Sequence, residues 1–213
     1  MAAVSYSFVV TENGPVSDAC DRWLPAPLTR CLSQVRDTVG AMTAPAARDF
    51  DFIYGQWTVH NRKLRDVTDP DCKDWVEFDA TSEAFPVLHT LGHVDRIYVP
   101  DPPDGEPFEG FTLRLFDPAA ELWRIWWSST RAPGQLDSPM TGRFTDGHGV
   151  FHGNDLVGGR ELAIRFDWDA DPSTPVWKQA FSEDSGATWR VNWVMTLHRI
   201  PIPALHPSQS DPT

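Results

Sequence analysis

Between residues 49 and 200, apolar and polar side chains alternate with a period of two. Trp57, Val59 and Asn61 alternate with Thr58, His60 and Arg62. Phe111, Leu113 and Leu115 alternate with Thr112 and Arg114, and Trp123, Ile125 and Trp127 alternate with Arg124 and Trp126. The same pattern runs through Leu162–Trp168, Trp177–Phe181 and Trp189–Leu197. Successive side chains of a strand point to opposite faces, so this period predicts strands with one buried face. Turn residues separate the runs: Pro100-Asp-Pro-Pro-Asp-Gly, Asp117-Pro, Asp146-Gly147, Gly158-Gly159, Asp169-Ala-Asp-Pro and Asp184-Ser-Gly. Gly supplies positive φ, Pro presets φ, and Asp bonds its own backbone. About ten strands are expected, at the spacing of an antiparallel sandwich or barrel. No long helical period interrupts them, which argues against a parallel α/β fold.

The two ends break the pattern. Residues 1–48 balance four acids (Glu12, Asp18, Asp21, Asp37) with four bases (Arg22, Arg30, Arg36, Arg48) and hold one tryptophan, Trp23. No apolar period is sustained there, so residues 1–48 are expected to be a flexible extension, with the folded unit over 49–200. Met42 precedes Thr-Ala-Pro-Ala-Ala, and a start there, leaving residues 1–41 out of the native product, stays open. The tail 201–213 is Pro-rich and expected to fray.

Charge then changes the picture. The chain has 213 residues and a net charge of −12, and the neutral leader leaves all of that charge on residues 49–213. An acidic chain repels nucleic acid and anionic membrane surfaces, so neither is an expected partner. Many acids sit in Asp-Pro and Asp-Gly turns, so part of the charge has a local structural cause. No apolar run is long enough for a membrane-spanning helix, and no secretory signal is visible. Cys20, Cys31 and Cys72 make neither a disulfide framework nor a C-x-x-C pair, so a reduced cytoplasm is expected. Nine of the ten tryptophans lie beyond residue 48. Ten exceed what a barrel end needs, and indoles alternating inward predict a wall suited to aromatic ligands.

Gly55-x-Trp57 stands at the entrance to the first strand, and Arg199 lies on the last, in NWVMTLHR. This pair resembles the calycin (lipocalin-like) closure. The resemblance implies a basic side chain packed over the tryptophan where the barrel shuts, with Gly55, Trp57 and Arg199 as its structural residues. The runs TLRLFDP, WKQAFSEDSGATW and NWVMTLHR resemble a bacterial barrel family of unknown function, which implies a fold and no settled activity. The expected fold is therefore all-β: a single antiparallel up-and-down β-barrel of about ten strands.

The chemistry must come from the lumen. Ser182–Trp189 resembles the Asp-box of sialidases. It occurs once, however, and is read as a hairpin device in which Asp184 bonds turn amides and Gly186 takes positive φ. His89/His93 and His148/His152 have H-x3-H spacing, but on a strand residues four apart sit about 13 Å apart, so neither pair chelates one metal. No metal or cofactor is expected, and no axial histidine for haem stands out. His93 and Asp95, at i and i+2, share a face. On the lumen side Asp95 would raise the pKa of His93 and make a general acid/base; on the outer side both would be solvated. Asn61 and Gln179 share parity with apolar neighbours and are candidate ligand-binding amides. Arg114 lies opposite Phe111, Leu113 and Leu115 and is expected outside; with inverted parity it becomes an anion anchor in the lumen. Trp127 and Trp193 are expected to stack on the ligand. No nucleophile elbow, phosphate loop or dinucleotide fingerprint is present.

Two functions remain open. One is a cofactor-independent isomerase, lyase or cyclase acting on a small, largely apolar or aromatic metabolite. The other is a non-catalytic carrier or sensor with the same pocket, a haem-binding barrel being a lesser variant. The chain is expected to be a monomer or a homodimer.

Overall fold

The computed structural model describes residues 45–201; residues 1–44 of the expected 1–48 leader and the tail beyond 201 lie outside them. Ten antiparallel strands follow one another: β1 (Gly55–Leu64), β2 (Trp75–Val87), β3 (Gly92–Val99), β4 (Phe108–Asp117), β5 (Leu122–Ser129), β6 (Met140–Thr145), β7 (His148–Val157), β8 (Arg160–Asp169), β9 (Val176–Ser182) and β10 (Arg190–Arg199). Each pairs with its successor, and β10 pairs with β1, so the sheet closes into an up-and-down barrel. Closure gives every strand a partner on both sides, which removes the usual liability of an open sheet. The ladders are unequal. β7 and β8 pair through ten residues, whereas β5 and β6 share only Trp123↔Gly142, Arg124↔Thr141 and Ile125↔Met140. Beyond Ile125 the segment between β5 and β6 bridges a seam, held by the Asp137 amide donating to the Trp127 carbonyl at 2.9 Å.

The strand ends nearest Trp57 are covered by two short 3-10 turns, Pro45–Arg48 and Asp51–Ile53. Ala47 and Phe50 are fully buried. The Phe50 ring meets Phe144, His93 and Trp123 at centroid distances of 4.9, 4.8 and 5.1 Å. The turns are fixed by indoles: Trp57 Nε1 donates to the Ile53 carbonyl (2.7 Å) and Trp123 Nε1 to that of Ala46 (3.0 Å). Packing therefore begins upstream of Asp49. Trp57 and Arg199 are register partners across β1 and β10, with the Arg199 guanidinium 4.0 Å from the Trp57 ring centre. The same guanidinium donates to the carbonyls of Tyr54 (2.7 Å) and Phe52 (3.0 Å), so one cation ties the cap to both closing strands.

Two strands depart from the parity expected of them. In β4 the inward residues are Phe108, Gly110, Thr112, Arg114 and Phe116, while Phe111 is exposed. Arg114 is thus inside, contrary to the expectation from Phe111, Leu113 and Leu115. Phe108 and Phe116 supply the burial that fixes this register, and the outer apolar side chains cover the sheet surface. In β10 the register shifts between Val191 and Trp193. A bulge flips parity, so Asn192 is fully buried and Trp189, expected inside, lies against Arg165 and His152 instead.

The Ser182–Trp189 turn is a hairpin connection. Asp184 accepts from the Thr188 amide (2.8 Å) and hydroxyl (2.6 Å), and Gly186 has φ +93°. These donors hold the Asp184 carboxyl down at about 2.

Candidate functional site

The barrel holds a cavity of about 250 Å³, partly open to solvent. Five tryptophans line it: Trp57, Trp127, Trp168, Trp177 and Trp193. Alternation places them there, because each has the inward parity of its strand. Trp177 and Trp193 meet edge to face at 5.6 Å. The close approach of Trp127 requires a glycine opposite, since a β-carbon at Gly110 would overlap its six-membered ring.

The polar groups of the wall come chiefly from β3 and β4. The pairing Asp95↔Thr112 and His93↔Arg114 sets four side chains side by side on the inner face. The Arg114 guanidinium forms an ion pair with Asp95 through Nη1, and Thr112 Oγ1 donates to Asp95 Oδ2 at 3.0 Å. Both charged side chains are nearly sealed, Arg114 at 6% and Asp95 at 12% exposure. Arg114 also lies over aromatic faces, 5.0 Å from the Phe50 ring centre and 5.8 Å from that of Trp168.

His93 occupies a layer behind the cavity. It is fully buried against Phe50, Tyr54 and Trp123 and does not line the lumen. Its Nδ1 is 3.5 Å from Arg114 Nη1, and its Nε2 has no partner among the described residues. Burial, then the neighbouring Arg114 cation, holds the imidazole well below its ordinary pKa. The expected raising of His93 by Asp95 is therefore corrected: the carboxylate is occupied by Arg114 and Thr112. The inward reading of the strand stands, since His93, Asp95, Ile97 and Val99 are buried while Arg96 and Tyr98 are exposed.

The expected ligand-binding residues divide. Arg114, Trp127, Gln179 and Trp193 line the cavity together with Asp95. Asn61 does not: it is fully buried, its Oδ1 accepting from Trp193 Nε1 (3.0 Å) and its Nδ2 donating to the Val59 carbonyl (3.2 Å). Asn61 thus orients a wall tryptophan. Three polar lining residues were not singled out from sequence. Thr112 followed from the inverted parity of β4. Ser82 lies within a long β2 of mixed burial and carries no local signal. Asp137 sits in the segment bridging the β5–β6 seam, where no period exists to read. Burial raises its carboxyl, and Asp155 adds to the effect. Among the described residues, no three His, Cys, Asp or Glu side chains are grouped to hold a metal ion. No helix among them is long and apolar enough to cross a membrane.

No family model matches the chain, and no curated protein matches it. Among solved structures, it is similar to the S-type phycobiliprotein lyase from Guillardia theta. The identity is 11% and the TM-score 0.46, over 78% of this chain and 98% of that one.

Proposed function

We propose that this chain binds one small, largely apolar or aromatic molecule in the lumen of its barrel. The observation that carries this reading is the cavity itself, about 250 Å³ walled by five tryptophans and floored by a buried ion pair. A concave, mostly apolar space with a few convergent polar groups is the usual form of a small-molecule site. The stacking of Arg199 on Trp57 at the closing strands supports placing the barrel among the calycins.

Cofactor-independent chemistry on the bound molecule, as an isomerase, lyase or cyclase, is the first form of this reading. In it Asp95, which lines the cavity, touches the substrate and moves a proton, while Arg114 steadies negative charge that develops there. His93, neutral and one layer back, packs against the guanidinium and positions it. Trp127 and Trp193 hold the apolar body, and Gln179 a second polar group. Carriage or sensing without chemistry is the alternative form.

Native mass spectrometry of protein purified from its source tests the reading. A co-purifying small molecule supports it. Conversion of that molecule by the native protein, lost in Asp95→Asn with binding retained, selects the enzyme; return of the molecule unchanged selects the carrier. A protein that retains nothing, and whose tryptophan fluorescence no small aromatic compound alters, removes both.

A further inference from the structure

The donors and acceptors around Arg114 are not in balance. Asp95 spends Oδ1 on the guanidinium and Oδ2 on the Thr112 hydroxyl. The guanidinium carries five N–H donors and no acceptor. Its hydrogen bonds among the described residues run through Nη1, to Asp95 and His93. Its Nε is sealed without a partner, and so is Nε1 of Trp168 beside it. Arg114 lines the cavity, and Nη2, which has no hydrogen bond among the described residues and is not sealed as Nε is, is the part of the guanidinium left to face the lumen. The unfilled donor capacity at this end therefore calls for an acceptor, while Asp95, each oxygen already accepting one hydrogen bond and its charge met by Arg114, is the weaker partner for a ligand ammonium.

Charge narrows the acceptor further. The charged side chains lining the cavity are Arg114, Asp95 and Asp137, one cation against two carboxylates. Arg114 is already neutralised by Asp95. A carboxylate ligand would bring another negative charge beside Asp95 with no second cation to meet it. An uncharged oxygen with two lone pairs takes the guanidinium's spare donors without that penalty.

From this we infer that the ligand is an uncharged carbonyl compound with an apolar or aromatic body, its carbonyl oxygen docked on Arg114 Nη2 and its body against the tryptophans. The inference rests on the proposed lumen-binding function and specifies the ligand's chemical class.

The test uses the full chain and four probes of one shape: 1-indanone, indane, indane-1-carboxylate and 1-aminoindane, each followed by quenching of tryptophan fluorescence. A hydrogen bond to a charged donor is worth about 1.5–3 kcal/mol, so 1-indanone is expected to bind about tenfold to a hundredfold more tightly than indane. The carboxylate and the ammonium are expected to bind more weakly than the ketone. The infrared carbonyl stretch of bound 1-indanone should move to lower wavenumber. In the double variant Arg114→Met, Asp95→Asn, which removes both charges together, ketone affinity should fall to that of the hydrocarbon. Equal binding of ketone and hydrocarbon overturns the inference and leaves an apolar lumen site standing, and so does preference for either charged probe. Absence of binding by all four overturns the inference and counts equally against the lumen as a binding site.

Discussion

Replacing Arg114 with methionine removes the cation from the buried pair and leaves the Asp95 carboxylate in place. Asp95 is 12% exposed and would keep one partner, the Thr112 hydroxyl at 3.0 Å. Breaking a buried pair from one side costs about 3–5 kcal/mol, because the remaining charge is uncompensated. The surviving hydroxyl contact puts this case at the lower end, about 3 kcal/mol. For a domain of this size, 1 kcal/mol moves the melting temperature by about 2–4 °C, so Arg114→Met should melt roughly 6–12 °C below the native protein at pH 7. Circular dichroism during heating measures it, with urea unfolding to give the free energy. Two controls identify the cause. Adding Asp95→Asn should recover most of the loss, since no charge then remains to desolvate. Lowering the pH should shrink the deficit of the single variant, because a carboxyl stranded in an apolar wall takes up a proton more readily than one in the unfolded chain. A single variant within 1 kcal/mol of native at pH 7, or a deficit untouched by Asp95→Asn, would refute the argument.

Three further outcomes are expected. His93 has its pKa depressed by folding, so the unfolded chain binds the extra proton; stability is full above the ordinary imidazole value of about 6.5 and falls as pH drops below it, by at most about 1.4 kcal/mol per pH unit. Asp49, pushed up to about 6 chiefly by burial, acts in the opposite sense between its unfolded value and 6, so the signature of His93 is the difference between native and His93→Phe unfolding at pH 5 and 7.5. A constant difference would contradict the assignment. Arg199→Lys keeps the positive charge and cannot reproduce the planar fork that reaches Tyr54 and Phe52 while stacking on Trp57; a loss of about 1–2 kcal/mol is expected in urea unfolding, and full retention would count against the guanidinium as the tie. Gly110→Ala pushes the Trp127 ring into the lumen, so affinity for an aromatic probe should fall at least severalfold; unchanged affinity would mean that Trp127 does not contact the probe.

The alternation made ten strands legible because most inward positions are apolar and most outward ones polar. It misled on β4, where the lumen side is Gly110, Thr112 and Arg114 and the outer side is Phe111, Leu113 and Leu115. A polar patch in a cavity and an apolar patch on a surface present the same pattern as the reverse, and only Phe108 and Phe116 at the strand ends distinguish them. Trp189 was misplaced because a bulge inserts one residue and leaves no local composition signal. His93 and Asp95 were correctly joined on one face, but their coupling depends on Arg114, a neighbour across the ladder that spacing along one strand does not reveal. Phe50, outside the strand pattern, needed the tertiary cap to show its place at the centre of the aromatic cluster.

The three-pair ladder between β5 and β6 has a kinetic meaning. The cavity is partly open to solvent, so a guest that outsizes its mouth leaves when some part of the wall opens, and the least expensive opening sets its dwell time. With ten residue pairs, β7–β8 has far more backbone bonds to break than this seam, whose bridging segment carries Asp137 into the wall. Escape through the seam needs only local unfolding, at a small fraction of the global unfolding free energy. Amide protons of β5 beyond Ile125 that point to the seam rather than to β4 should therefore exchange with solvent faster than those within the β7–β8 ladder, and should slow when the lumen is filled. The barrel would then release its guest on the timescale of a fluctuating seam, while the fold around it persists.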